Sequence, residues 1–404
     1  MIRLTFFVAA SCLLFLSCAS SKQATDESFR SKAREYAQEF ILIDTHVDTP
    51  YRLREKMEDI SQPTAGGNFD YVRAKEGGLN APFMSIYVPA EYEGKGGAKL
   101  LADTLIDMVE KFSTDWPDKF VMAHSTSDVK KQFTTKKISL CLGMENGSPI
   151  EHDLENLRHF YNRGIRYITL AHSKDNHISD SSYDTSRTSH GLSPFGKEVV
   201  LEMNRLGIMV DVSHITDEAF YAVMNISQAP AIASHSSCRF FTPGWERNMS
   251  DDMIRVLAMN GGVIMINFGS SFINGEYFKR DSTVRTDARK ALLATGISSS
   301  DPAAHAFVDH YEKEHPIGFY ADVKEVADHI DHVVKLVGVN HVGFGSDFDG
   351  VGDSLPTGLK DVSQYPNLIY ELLKRNYSKE DIQKICGLNL LRVWSKVEQV
   401  ASQK

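Results

Sequence analysis

The stretch Phe40-Ile41-Leu42-Ile43-Asp44-Thr45-His46-Val47-Asp48 changes character halfway along. Its first half is short, apolar and rich in β-branched side chains, the composition of a strand buried on both faces. Its second half is polar, and the spacing of two between His46 and Asp48 puts an imidazole and a carboxylate on one side of an extended backbone. Seven more apolar runs repeat the first half: Pro82–Val88, Ile138–Met144, Ile165–Leu170, Ile208–Val212, Ala229–Ser234, Gly262–Phe268 and His341–Ser346. Segments of helical periodicity lie between them, among them Leu154–Asn162, Gly196–Leu206, Asp217–Met224, Ser250–Met259 and Val323–Leu336. Such alternation calls for a parallel sheet covered by helices, and eight units can close on themselves and leave no edge. The expected fold is α/β, a (β/α)8 TIM barrel.

Ligand-type residues recur where these runs end. Glu145 follows the third run in Gly143-Met144-Glu145-Asn146-Gly147, and its two carboxylate oxygens can bridge two cations. His214 closes Asp211-Val212-Ser213-His214, His235 closes Ala233-Ser234-His235, and Asp347 lies in Gly345-Ser346-Asp347-Phe348-Asp349-Gly350. A lone histidine is more often a hydrogen-bonded structural residue. Gathered at matching strand ends, these groups make an oxygen and nitrogen site suited to two zinc ions. The expected sets are His46, Asp48 and Glu145 on one ion, and Glu145, His214 and His235 on the other. Asp347 is placed to take a proton from a metal-bound water and return it to a leaving amine. Asp349 is read as shaping the turn into Gly350. Together these features describe a barrel of the metal-dependent hydrolase type.

A chain of 404 residues, 42% hydrophobic and 24% charged, can bury a large core. Its net charge of -9, with no long basic run, argues against binding to nucleic acid or attraction to anionic lipid. At the start, Arg3 precedes an apolar segment, Leu4–Leu16, which is short for a membrane span and has the form of a signal peptide. Ser17-Cys18-Ala19-Ser20-Ser21 resembles a bacterial lipobox. Residues 1–17 are therefore expected to be cleaved, Cys18 to carry a lipid, 18–26 to form a tether, and 27–404 to form a single domain. That organisation predicts an exported bacterial lipoprotein, on the periplasmic side or in the cell envelope, with a membrane contact through its lipid. Cys141, Cys238 and Cys386 are scattered and odd in number, so no disulfide framework is expected. The long piece at about 269–320 is expected to be an insertion near the barrel mouth, either a lid or substrate wall or a helical surface elaboration.

Several blocks occur in order along the chain: DTHVD (44–48), GMENG (143–147), GIRYITLAHSKDN (164–176), DVSH (211–214), APAIASHSS (229–237), Arg247-Asn248-Met249 before Asp251-Asp252, VGFGSDFDGV (342–351), YPNLIYELLKR (365–375) and GLNLLRV (387–393). In these blocks, from roughly Ile41 to Val397, the chain resembles the membrane dipeptidases, also called renal dipeptidases, of the amidohydrolase-like barrels. The resemblance implies a zinc-dependent metallopeptidase that cleaves dipeptides by attack of a metal-bridging hydroxide. It implies metal ligation by His46, Asp48, Glu145, His214 and His235. It also implies contact of His172 with the scissile carbonyl oxygen, pairing of Arg247 with the substrate's C-terminal carboxylate, and proton transfer by Asp347. Family members are often dimers, which implies a homodimer. Glu246 stands where the family carries a second arginine, a departure that bears on substrate preference more than on chemistry. Two other readings share these features. One is a different amidohydrolase-type hydrolase, although such enzymes usually carry HxH on the first strand and often a lysine on the fourth, and neither is present here. The other is a catalytically silent metal-containing lipoprotein that binds peptides. His177 and Asp175, just beyond His172, are read as candidates for lining the pocket, and the remaining histidines as structural or solvated.

Overall fold

In the computed structural model, residues 26–298 and 302–403 are described. The expected signal peptide, Cys18 and all of the tether except Asp26 lie outside them.

Each of the eight apolar runs contains a strand, and all strand pairings are parallel. The strands are β1 (Leu42–Val47), β2 (Leu79–Tyr87), β3 (Phe120–Met122), β4 (Ile138–Glu145), β5 (Ile165–Thr169), β6 (Met209–Asp211), β7 (Ile232–Ser236), β8 (Val263–Ile266) and β9 (Val342–Phe344). They pair in the order β2-β1-β9-β8-β7-β6-β5-β4, and β2 meets β4 from Phe83 opposite Cys141 to Tyr87 opposite Glu145. The ring is thereby closed, with eight strands in it. β3 lies outside the ring and pairs only with Ile138–Leu140 at the start of β4. At three residues, Phe120-Val121-Met122 is too short to stand out as a strand by composition.

The helices between strands begin and end where local chemistry dictates. Ser193, Thr216 and Ser250 each accept a hydrogen bond from the backbone N–H three residues on, which starts the helices Pro194–Leu206, Asp217–Ile226 and Asp251–Met259. Asp322 and Glu325 form a reciprocal capping box at the head of Val323–Val337. The region expected to be an insertion is helical, not irregular: Ser270–Ile273, Gly275–Thr295 and Pro302–Glu314. Asn274 caps the second of these by accepting from the N–H groups of Glu276 and Tyr277. A mainly hydrophilic helix with few internal apolar repeats carries a weak periodic signal, which is why the sequence left this region without assigned elements.

The barrel interior is filled by Ile43, Phe83, Tyr167, Met209, Ile232 and Met265, among others. The C-terminal helix Asn389–Ser402 contributes Leu390, Trp394 and Val397 to the same cluster, and Trp394 meets Phe83 edge-on at 5.4 Å between ring centroids. That helix seals the rim at which the strands begin. Gly143 has a specific task inside the ring, since a Cβ there would lie 2.0 Å from the Tyr167 ring. Only glycine lets Tyr167 reach across the interior toward β1.

Candidate metal centre

The opposite rim gathers every residue the sequence singled out for chemistry. His46 lies in β1 and Asp48 one residue past it, Glu145 ends β4, and His235 lies in β7. His172, His214 and Asp347 each stand three residues beyond the ends of β5, β6 and β9. Four side-chain-bearing residues around this rim have left-handed backbone: Asn146 (φ 78°), His214 (φ 71°), Asp347 (φ 65°) and Asp349 (φ 69°). Each such residue costs roughly 1–3 kcal/mol, and strain of this kind clusters where function fixes a side chain. Backbone hydrogen bonds hold two of them, from Asp347 N to His46 O at 3.1 Å and from Ser182 N to His214 O at 2.7 Å.

Glu145 is the hub. Its Oε2 is 3.5 Å from His46 Nε2, while its Oε1 is 3.1 Å from His214 Nε2, 3.3 Å from His235 Nε2 and 3.5 Å from His172 Nε2. His46 Nε2 is also 3.4 Å from Asp48 Oδ2. Three trios offer ligand atoms within 4.8 Å of one another: His46, Glu145 and His235; Glu145, His172 and His214; and His46, Asp48 and Asp347. All five expected ligands are thus in one cluster, with a finer grouping than the sequence implied. His235 stacks on His46 at 3.7 Å and also faces His214, and Asp347 joins the Asp48 side.

Hydrogen bonds behind the ligands decide which ring nitrogen faces inward. The Tyr167 hydroxyl spends its proton on Thr45 O at 2.9 Å, so it accepts from His46 Nδ1 at 2.8 Å. The Ser234 hydroxyl donates to Asp211 at 2.6 Å, so it accepts from His235 Nδ1 at 2.7 Å. Both rings therefore present Nε2 to Glu145, the orientation a metal ligand needs from groups behind it. His214 Nε2 and His235 Nε2 come within 2.8 Å of each other, two nitrogens aimed at one place. His46 Nε2 and Asp48 Oδ1 are buried without a hydrogen-bond partner among the described residues. Buried lone pairs left in this way are rare, and this donor set fits cations.

The electrostatics agree. Burial would raise the Glu145 pKa, but the His172 and His46 rings and the close nitrogens of His214 and His235 hold it well below the usual carboxylate value. Burial, with Arg247 nearby, pushes His214 well down, and burial does the same to His235 beside His46, so both are neutral imidazoles ready to ligate. Burial also lowers His172. His46 differs: burial opposes its charge, yet Tyr167, Asp48 and Glu145 outweigh that and hold it well above the ordinary value. Asp347 is pushed up to about 7 by burial and by the facing Asp48 carboxylate.

Arg247 lies at the edge of the cluster, 2% exposed. Its Nη1 donates to Ser236 Oγ and its Nη2 to His235 O, both at 2.8 Å, and its Nε is buried without a partner. Glu246 points elsewhere, held by Arg187 and by the Asp217 backbone N–H. Asp349 accepts from Thr49, Arg52 and the Asn68 N–H and so ties the turn together, as the sequence suggested. Asp175 and His177 are spent on loop structure: Asp175 accepts from Ser181 N and Thr188, and His177 pairs with Glu93 at 2.7 Å. Cys238 is buried against His329, and no disulfide links Cys141, Cys238 and Cys386. The residues missed in the sequence are those behind the ligands: Tyr167, Asp211, Ser234, and Asn267, whose Nδ2 donates to Asp347 Oδ2 at 2.7 Å. Asp211 and Ser234 stood inside quoted blocks, but a pattern of spacing does not show which side chain backs which.

A parallel eight-stranded barrel with clustered histidines and carboxylates at the rim where its strands end is a metal-dependent hydrolase. Comparison with known proteins narrows the class: residues 30–404 match the family described as membrane dipeptidase (peptidase family M19), and the chain belongs to that family. It is similar to an uncharacterized dipeptidase of Schizosaccharomyces pombe, 33% identical over 387 residues that cover 91% of this chain and 84% of that protein. It is also similar to the dipeptidase tcpJ of Claviceps purpurea, 33% identical over 374 residues, or 89% and 78% of the two chains. Among solved structures, the probable dipeptidase PvdM from Pseudomonas aeruginosa superposes with a TM-score of 0.80 at 28% identity, over 93% of this chain and all of that one. The protein is thus an enzyme, a dipeptidase of the metallopeptidase class.

Without a cation, Asp347 keeps its proton below about pH 7. A divalent ion bound beside it favours the carboxylate, so cation binding should release a proton near pH 7 and weaken as pH falls from 8 to 6. Calorimetric zinc titration in buffers of different ionisation enthalpy reads this. Heats independent of the buffer, with affinity unchanged across that range, would contradict it.

Proposed function

We propose that this dipeptidase works with two zinc ions, and that a buried guanidinium selects substrates with a free carboxylate one residue beyond the scissile bond. His46, Asp48 and Glu145 would hold one ion, and Glu145, His214 and His235 the other. When bound, the ions supply Lewis acidity and make a water acidic enough to ionise near neutral pH. The observation that carries this reading is Glu145, with one oxygen toward His46 and the other toward His214 and His235.

The chain's own side chains do the rest. Asp347 moves the proton: Asn267 anchors its Oδ2, so it can accept at one stage and donate to the departing amine nitrogen at another. Its raised pKa in the bare site comes from burial and Asp48, and nearby positive charge would favour the carboxylate a base requires. His172 sits between the Tyr87 ring at 4.8 Å and the His214 ring at 4.4 Å, with Nε2 turned toward Glu145. From there a neutral imidazole N–H donates to the substrate carbonyl oxygen as negative charge builds, an interaction whose loss typically costs about 10²-fold in rate.

Arg247 accounts for the restriction to dipeptides. A buried guanidinium without an ionic partner is expensive to maintain, and no carboxylate among the described residues pairs with it. A substrate carboxylate supplies the missing charge, and Arg247, bonded to the His235 carbonyl, stands close beside the cluster where the bond would be cleaved. Arg247→Ala should lower kcat/KM for dipeptides by about 10²-fold, mainly through KM, with zinc content intact. Wild-type enzyme that cleaves amidated and free-carboxylate dipeptides equally would contradict the clamp.

The homodimer implied by the resemblance and the envelope location remain part of the same proposal, with Cys18 as the lipid-bearing first residue of the mature chain. Mass spectrometry of the mature N-terminus should find a diacylglyceryl modification on Cys18. An unmodified terminus would refute the anchor and leave the enzymology untouched.

A further inference from the structure

An aromatic strip links the metal cluster to Arg247. Tyr183 packs beside the ring of His214 at 5.7 Å between centroids and meets Trp245 at 6.3 Å. Trp245 lies 4.9 Å from Phe272 and stacks on Phe278 at 4.5 Å with 22° between ring planes. The Arg247 guanidinium sits 5.0 Å over the Phe272 ring. Although Tyr183 packs against buried His214, it is itself 44% exposed. Phe272 and Phe278 come from Ser270–Ile273 and Gly275–Thr295, and Asn248 Nδ2 donates to Phe272 O at 2.8 Å, which fastens this added segment to the turn carrying Trp245 and Arg247.

We infer that this strip is the subsite for the side chain of the substrate's C-terminal residue, and that it selects large apolar or aromatic side chains. The inference rests on the dipeptidase reading and the carboxylate clamp. With the scissile carbonyl at the Glu145 cluster and the carboxylate at Arg247, only the amide nitrogen and one α-carbon lie between. The side chain on that α-carbon is then held against the rings that span the same interval. Aromatic faces reward apolar side chains with buried area, and offer an anionic side chain nothing in return for its lost water. Charges near the strip are already committed: Glu246 to Arg187, and Arg285 to Asp281 at 3.0 Å. Phe272 and Phe278 thereby give the helices Ser270–Ile273 and Gly275–Thr295 a role as a specificity wall.

The test is kcat/KM of the zinc-loaded full-length enzyme on Ala-Gly, Ala-Asp, Ala-Leu and Ala-Phe. The inference expects Ala-Leu and Ala-Phe to exceed Ala-Gly and Ala-Asp by roughly 10-fold or more. In Trp245→Ala and in Phe278→Ala, the ratio of Ala-Phe to Ala-Gly should shrink by about 10-fold, carried by KM. The Phe278 substitution lies on a half-buried helix surface and guards against a folding defect at Trp245. A flat wild-type profile, a preference for Ala-Asp, or equal losses on Ala-Phe and Ala-Gly in both variants would overturn the inference. Absence of turnover on every dipeptide would overturn the dipeptidase reading first, whereas turnover with a flat profile overturns this subsite alone.

Discussion

An ionised carboxylate, Glu145, is buried at the centre of four imidazoles, and the chain supplies too few protons to satisfy the lone pairs collected there. Two of those imidazoles have their outer nitrogens committed as donors, which turns their inner nitrogens toward Glu145. Burial keeps His214 and His235 neutral, which removes the option of balancing Glu145 with their charge. Such an arrangement is costly when empty and favourable around divalent cations, whose charge and vacant coordination positions answer both deficits.

The fold exists to hold that cluster still. Closing the ring through β2 and β4 places Glu145 opposite Tyr87 and brings distant parts of the chain to one rim. Two of the imidazoles are braced from behind: His46 by Tyr167, which reaches across the ring from β5, and His235 by Ser234 of its own strand together with Asp211 of β6. Asp44 performs the same service for the backbone, accepting from His46 N and Ser346 N and so tying the exit of β1 to that of β9. At the other end Trp394 of the C-terminal helix packs into the interior against Phe83.

Much of this was legible in the chain because strand ends are marked by a change from apolar to polar residues, and the ligands stand at that change. The eight ring strands and the gathering of His46, Asp48, Glu145, His214 and His235 at their ends follow from that signal, and the helices Leu154–Asn162, Pro194–Leu206, Asp217–Ile226, Asp251–Met259 and Val323–Val337 from the apolar periodicity between them. The bracing was not legible. Tyr167 reads as an ordinary aromatic in an apolar run, and nothing local reveals that Gly143 on the preceding strand makes space for it. Phe120–Met122 escaped for want of length, and the helices Ser270–Ile273, Gly275–Thr295 and Pro302–Glu314 for want of a clear apolar face. Those helices matter because they bring Phe272 and Phe278 beside Arg247, a juxtaposition that depends on tertiary packing alone.

The account turns on Glu145 serving two positions at once. Elemental analysis of zinc-saturated, gel-filtered protein, wild type beside Glu145→Gln, measures that directly. The account predicts two zinc ions per wild-type chain and depletion at both positions in the variant, because the amide offers one neutral oxygen in place of two charged ones. A wild-type chain that saturates with a single ion, or a variant that keeps a full pair, would contradict it.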